Sequence, residues 1–383
     1  MIVPNSYKTT EMKFAITNVP VYIGYIILPL ISFIYGIVSG NGNVNYELVW
    51  LVMPILLLPF ANRYSIKIQI FFVIILANVL LTVKYLLPIL WINNITWRAF
   101  FIDLKWIYYL LIALLWINAF GKLNIEKLYK GGRNLCIIYI LYILIKIAQN
   151  GAYSRFYELM YESNYVCFLF LIPFCFIRQL NRPKKEYAIF IIATLLSGSK
   201  TGVVSLAALL IYPLYEKSRN KFIYWLLIPV LLCIYIYVFF MSKGIGDLED
   251  VDRIIFFVQF FEYLKETSWS NILFGVYAGV PMQLSVIPAF NWYVENFENI
   301  NHITGCYPFY FHSTYIRLAM VWGIPCVSVF LFWVFRLLHR TENNALKNLI
   351  ILFLLQSISM STLTLTTVSF LFFLTFLSVY LDK

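Results

Sequence analysis

Hydrophobic runs of membrane-spanning length follow one another along almost the whole chain, and no other feature constrains its fold as much. They fall near 16–38, 46–61, 68–90, 103–120, 134–149, 164–180, 187–197, 202–215, 222–242, 312–335, 349–361 and 367–381. A helix needs about 20 mostly apolar residues to cross a bilayer, and only helices and closed barrels satisfy their backbone in lipid. A barrel would show alternating strands of about ten residues. These runs are longer and do not alternate. The sequence therefore predicts an all-α, polytopic integral membrane protein of about twelve transmembrane helices, residues 1–383 forming a single membrane domain. With 12% charged residues, the chain is far below the roughly 25% of soluble domains.

The polar gaps predict the orientation. One alternate set, running from Lys8 and Lys13 through Lys122–Arg133 and Arg178–Lys185 to Arg336–Lys347, carries eighteen basic residues. The other set carries six: Arg98, Arg155, Lys200, Lys243, Arg253 and Lys265. The positive-inside rule then puts both termini in the cytoplasm and the long segment 243–311 outside, with the short loops 150–163 and 197–201. The net charge of +11 is explained by these orienting loops, so no nucleic-acid partner is expected. The six cysteines form no C-x-x-C pair, which supports neither a disulfide framework nor a zinc site. No A-x-A-like site follows the first apolar run, so it is read as an uncleaved span.

Residues able to do chemistry concentrate in the predicted outer segments. "SGSKTG" (197–202) lies between two short apolar runs and reads as a hairpin tip. Its glycines allow a tight turn, and the segment reads either as a plain polar turn or as an anion site made by Lys200 beside the free N–H groups of the next helix. The P-loop spacing is absent, so no nucleotide site is predicted. In "DLEDVDRIIFFVQFFEYLKE" (247–266), Asp250 or Asp252 can cap a helix starting near Arg253. Ile254, Phe257, Phe261 and Leu264 share one face of it, as in a helix lying at the membrane interface. The acidic run lacks the EF-hand pattern. "YFHSTYIRLAMVWGIP" (310–325) sets His312 at the outer mouth of the span 312–335, with Tyr315 on its face and Arg317 slightly deeper. Ionisable groups at such positions are costly and mark functional sites, and histidine is the commonest general base near neutral pH. His302 is the nearer rival, whereas His339 sits among predicted cytoplasmic arginines. Lys84 and Lys146 lie in the outer halves of spans and either snorkel or line a lipid-headgroup groove. Arg155 in "YSRFYELMYESNY" is a further external cation.

The order of these pieces resembles the O-antigen polymerase and O-antigen ligase superfamily of bacterial polytopic proteins. An S-[RK]-T-G turn between short spans (Ser199–Gly202) precedes an arginine-headed helix in a long outer loop (Arg253). "NILFG" (271–275), "HSTYI" (312–316) opening a span, and "WGIP" (322–325) follow. The resemblance covers residues from about 150 to 335. It implies a metal-independent glycosyltransferase in the bacterial cytoplasmic (inner) membrane, acting on its external, periplasmic face. Its donor would be an undecaprenyl-diphosphate-linked oligosaccharide. Carried over, His312 is the base, and Arg253 and Lys200 bind the diphosphate. Lys200 departs from the usual arginine, giving a point charge in place of a bidentate fork. Arg155, Arg317, Ser199 and Tyr315 are additional candidates for substrate binding.

That chemistry is coherent. His312 would take the proton of a sugar hydroxyl as it attacks the anomeric carbon, and fixed cations would stabilise the leaving diphosphate. The donor linkage supplies the energy, so no external ATP is required and no cofactor is expected; the resemblance implies that no metal takes part, and attack opposite the leaving group inverts the anomeric centre. The leading expectation is a repeat-unit polymerase making O-antigen or capsule polysaccharide, with membrane lipid and a chain-length regulator protein as candidate partners. One alternative is the ligase that transfers glycan to the lipid A core. Another is a polyprenyl-linked oligosaccharide flippase, which would be expected to show repeated halves that this sequence lacks.

Overall fold

The computed structural model describes residues 16–62, 66–86, 90, 92, 95–154, 157–218, 252–301, 304–363 and 365–381. The expected span 222–242 and the residues Arg155, His302 and Lys243 lie outside them. The described chain is mostly helical. The helices are α1 (Val19–Ser39), α2 (Glu47–Leu57), α3 (Ile68–Leu81), α4 (Trp97–Phe120), α5 (Ile125–Asn150), α6 (Ser163–Phe174), α7 (Lys184–Leu196) and α8 (Lys200–Lys217). There follow α9 (Asp252–Glu266), α10 (Trp269–Phe274), α11 (Pro288–Asn301), α12 (Thr314–Trp322), α13 (Ile324–Arg340), α14 (Asn344–Ser359) and α15 (Thr366–Tyr380). Among the described residues α1, α4 and α5 are long and apolar enough to cross a membrane singly, and α2, α3, α6, α14 and α15 are shorter apolar helices. Two-residue strands, Gly42–Asn43 and Leu159–Met160, pair in parallel.

The bundle is organised around α6. Val166 through Phe174 are all buried, as expected of a helix that is apolar all round and packed on every side. Glycines let α5 come close: a Cβ on Gly132 would lie 2.2 Å from Pro173 of α6, and one on Gly131 would lie 2.9 Å from Val21 of α1. Helix α15 packs beside α4. Its Thr367 hydroxyl takes the Trp50 indole N–H at 2.6 Å and also bonds Tyr161. The Thr366 and Tyr109 hydroxyls are hydrogen-bonded at 2.9 Å. Many apolar side chains face outward, such as Val38 on α1, Leu48 and Ile55 on α2, and Phe332 on α13. This is the surface of a protein solvated by lipid.

Alternate connections gather at opposite ends. At one, the basic end, Arg182 pairs with Glu126, Arg133 lies 3.5 Å from Glu186, and Lys347 lies 2.5 Å from Glu216. At the other, the loops of the first and middle spans meet through Gly42 N–H to Glu158 O (3.1 Å), and Tyr153 reaches the Leu196 carbonyl. Residues 252–301 and 304–313 form a cap over this second end with an aromatic core of their own, in which Phe256, Phe290, Tyr307, Tyr310 and Phe311 are buried. The Thr96 amide at the start of α4 donates to the Gly279 carbonyl at 2.8 Å and so ties the cap down. A segment expected as a loop is thus a packed unit.

One expectation is corrected. The run 312–335 is not one helix: it breaks at Gly323, whose φ is +85°, giving α12 and α13. The break accepts a neighbour, because a Cβ on Gly323 would lie 2.1 Å from the Leu273 carbonyl oxygen of α10. The face of α9 packed on the cap is a different one from the Ile254–Phe257–Phe261–Leu264 face expected at the membrane interface. Ile255, Phe256, Gln259 and Tyr263 are buried, while Phe261 stays exposed. Gln259 holds the packed face in place: its amide donates to Ser285 O (2.9 Å) and accepts from Ile287 N–H (2.8 Å), fastening the turn before α11.

Candidate functional site

The hairpin tip between α7 and α8 has the expected form. Gly198 takes φ +63°. Ser199 caps α8, its hydroxyl accepting from Gly202 N–H at 3.0 Å and donating to Asn164 Oδ1 at 2.8 Å. Ser199 is buried, so its role here is to build the turn. Gly202 serves close packing, since a Cβ there would lie 2.2 Å from Cys167 Sγ of α6. Lys200, half-buried, is the first residue of α8. Beside it, Thr201 hydrogen-bonds Ser359 at the end of α14, 2.6 Å away.

The segment bearing His312 is held on both sides by the α14–α15 connection. The Phe311 carbonyl accepts from the Ser361 hydroxyl (3.1 Å). Ser313 donates to the Ser357 carbonyl (3.3 Å), and the Thr314 amide and hydroxyl both donate to the Met360 carbonyl, at 3.0 and 2.7 Å. Thr362 joins Thr314 to Ser357. The imidazole, half-buried, lies against the Phe256 ring of α9, centroids 5.2 Å apart. Tyr315 turns its hydroxyl to the Leu354 carbonyl at 2.7 Å, a contact that fastens α12 to α14.

Helix α9 begins at Asp252, so Arg253 is in its first turn and Phe256 follows one turn later. The helix is held in place through α10. Val276 N–H donates to the Met320 carbonyl at 2.7 Å, satisfying one of the orphan acceptors at the end of α12. A Cβ on Gly275, whose φ is +74°, would lie 2.3 Å from Val321 O. The glycines of "NILFG" and "WGIP" therefore face each other and permit one backbone-to-backbone contact.

Arg317 is committed inward. It pairs with Asp103 of α4 at 3.0 Å, with side-chain exposures of 7% and 0%. A narrow cavity lined by both, by Thr314 and by Trp106 adjoins the pair. Two residues along α4 from Asp103, Lys105 lies 3.6 Å from Glu47, which also accepts from Tyr109 at 2.8 Å. Lys84 lies over the Trp322 ring at 5.4 Å and Lys146 over the Tyr142 ring at 5.8 Å. His339 is exposed in the last turn of α13.

In the cap, Glu266 accepts the Ser285 amide at 2.7 Å, and this bond holds its carboxyl below the usual range. Burial, and then the charge of Glu298, push the Cys306 thiol up to about 12, so it is no nucleophile near neutral pH. Among the described residues no group of His, Cys, Asp and Glu is arranged to hold a metal.

The arrangement brings the Lys200 end of α8, the His312 segment and the first turns of α9 to the cap end of the bundle. Arg317 is directed to Asp103, and Ser199 and Tyr315 fasten elements together. Sequence reasoning missed the hydroxyl-rich connection from Ser357 to Thr367 that holds the His312 segment. Its signal is legible: "SISMSTLTLTT" is dense in hydroxyls between two apolar runs. Comparison with protein-family models, with curated proteins and with solved structures finds no match to this chain.

Proposed function

We propose that this chain is a glycosyltransferase-type polymerase that joins polyprenyl-diphosphate-linked oligosaccharide repeat units on the outer face of the bacterial cytoplasmic membrane, building O-antigen or capsule polysaccharide. In this reading the chain makes about twelve crossings with both termini inside, and the cap end of the bundle faces outward. One observation supports it above others: the Thr201–Ser359, Ser313–Ser357 and Phe256–His312 contacts join the Lys200, His312 and Arg253 segments at a single end.

In the proposed step, the imidazole of His312 accepts the proton of an acceptor-sugar hydroxyl. The hydroxyl oxygen forms its bond to the anomeric carbon of the donor as the bond from that carbon to the diphosphate oxygen breaks. The lipid diphosphate leaves as an anion, its developing charge met by Arg253 and Lys200. Next to lipid, where the dielectric is low, each cation counts for more than in water.

The test is a gel of surface glycan from a strain lacking the gene, complemented with wild-type or variant chains. We expect core bearing one repeat unit in the deletion strain and a full ladder with wild type. His312→Ala should give no ladder although the protein inserts. Lys200→Arg should retain the ladder and Lys200→Ala lose most of it. Bare core with lipid-linked polymer accumulating would instead indicate the ligase, and a normal ladder from His312→Ala would remove the base.

A further inference from the structure

Helix α3 carries a polar group where lipid is expected. It starts at the basic end, where the Lys67 amide bonds Asn118 Oδ1 at 3.1 Å. At 1.5 Å per residue, Asn78 sits about 15 Å from its first residue, which is about the midplane of a hydrocarbon core about 30 Å thick. Asn78 is exposed there. Among the described residues its amide has one hydrogen bond, back to Ile74 O of its own helix at 2.7 Å.

The two sides of α3 differ. Ile70 is buried and Ile74, Ala77, Leu81 and Lys84 are partly covered, a 4-3-4-3 seam on the side of α4. On the outward side Phe71, Ile75, Asn78 and Thr82, all exposed, repeat as 4-3-4. An open hollow of about 420 Å³ runs along Ile75, Asn78, Val79, Thr82 and Val83, where the helix widens into the π turn Thr82–Leu86.

A carboxamide both donates and accepts, so it complements itself across a two-fold axis. Lipid tails offer it nothing, while an interhelical amide pair in a bilayer has a measurable association energy. An asparagine at one core position of a heptad seam also fixes register and oligomeric state. We propose that the Phe71–Ile75–Asn78–Thr82 face of α3 packs on the same face of a second copy of this chain, with the two Asn78 amides hydrogen-bonded to each other in the middle of the membrane. This inference needs only that the chain spans a bilayer, not the proposed reaction.

The test uses the full chain, fluorescently labelled at its C-terminus and reconstituted in phosphatidylcholine vesicles over a range of protein-to-lipid ratios. Subunits are counted by single-molecule photobleaching. The wild type should be dimeric, and Asn78→Leu, apolar enough to keep the span, should weaken association about tenfold. Asn78→Gln should associate like wild type. Ile75→Trp should block the seam sterically and give a loss similar to that of Asn78→Leu, and Leu80→Ala on the opposite flank should change nothing. A wild type monomeric at every ratio would overturn the proposal, because lipid would then cover this face. Unchanged dimers in Asn78→Leu and Ile75→Trp would overturn it by moving the contact elsewhere, and loss in Asn78→Gln would overturn the amide pairing.

Discussion

Arg317→Met breaks the buried pair that joins α12 to α4. It leaves Asp103, whose side chain is wholly inaccessible, as a carboxylate with no cation at 3.0 Å. Removing one member of a buried pair costs about 3–5 kcal/mol, whereas replacing both by apolar groups of similar volume is about neutral or stabilising. Arg317→Met and Asp103→Leu should therefore each be strongly destabilising, and the double variant near wild type. The coupling between them should be about 3 kcal/mol or more in a double-mutant cycle. The assay is denaturant or thermal unfolding of the four purified proteins in one detergent. Additive losses, with coupling under about 0.5 kcal/mol, would refute the reasoning and show that neither charge depends on the other. The same set separates structure from substrate binding: a double variant that folds like wild type but makes no polymer would return Arg317 to the substrate.

Gly202→Ala should lower stability and polymer yield, because its methyl group would meet Cys167 Sγ at 2.2 Å. Cys167→Ala in the same chain should restore both, measured as melting midpoint and glycan ladder. Glu266 has its carboxyl held low by the Ser285 amide, so its contribution is present above the unfolded carboxylate value and fades as pH falls through the folded one. The difference in melting midpoint between wild type and Glu266→Gln should accordingly be largest near about pH 7 and shrink toward about pH 3.

The helical class and the hairpin tip at 197–199 were legible because span-length apolar runs and glycine turns are local signals. A helix starting near Arg253 was expected from the acidic run before it, and the described helix runs from Asp252. What escaped was set by partners distant in sequence. The 312–335 run reads as continuous apolar chain, and only the approach of the Leu273 carbonyl explains why Gly323 divides it. The second, packed face of α9 was not anticipated because Gln259 counts as polar in a pattern, yet is buried by bonds to Ser285 and Ile287. Arg317 has the same sequence credentials as Arg253, and nothing local announces that Asp103, 214 residues earlier, takes it. Of the proposed site, the residue types and their end of the bundle could be anticipated. The hydroxyl cradle around His312 could not, because serine and threonine in a span also bond their own helix, as Ser378 does here.

The connection that grips residues 311–314 comes from the last hairpin, and that fixes an order of events during synthesis. Trp50 waits for Thr367, 317 residues later, and Tyr109 waits for Thr366. While the chain is being inserted, these indole and phenol groups have no hydroxyl partner on α15, and the His312 segment lacks its carbonyl and hydroxyl supports. The catalytic end that we propose is therefore completed only after α15 has been made. A chain that stops short of Ser357 keeps every residue assigned to the chemistry and still lacks the means to hold them.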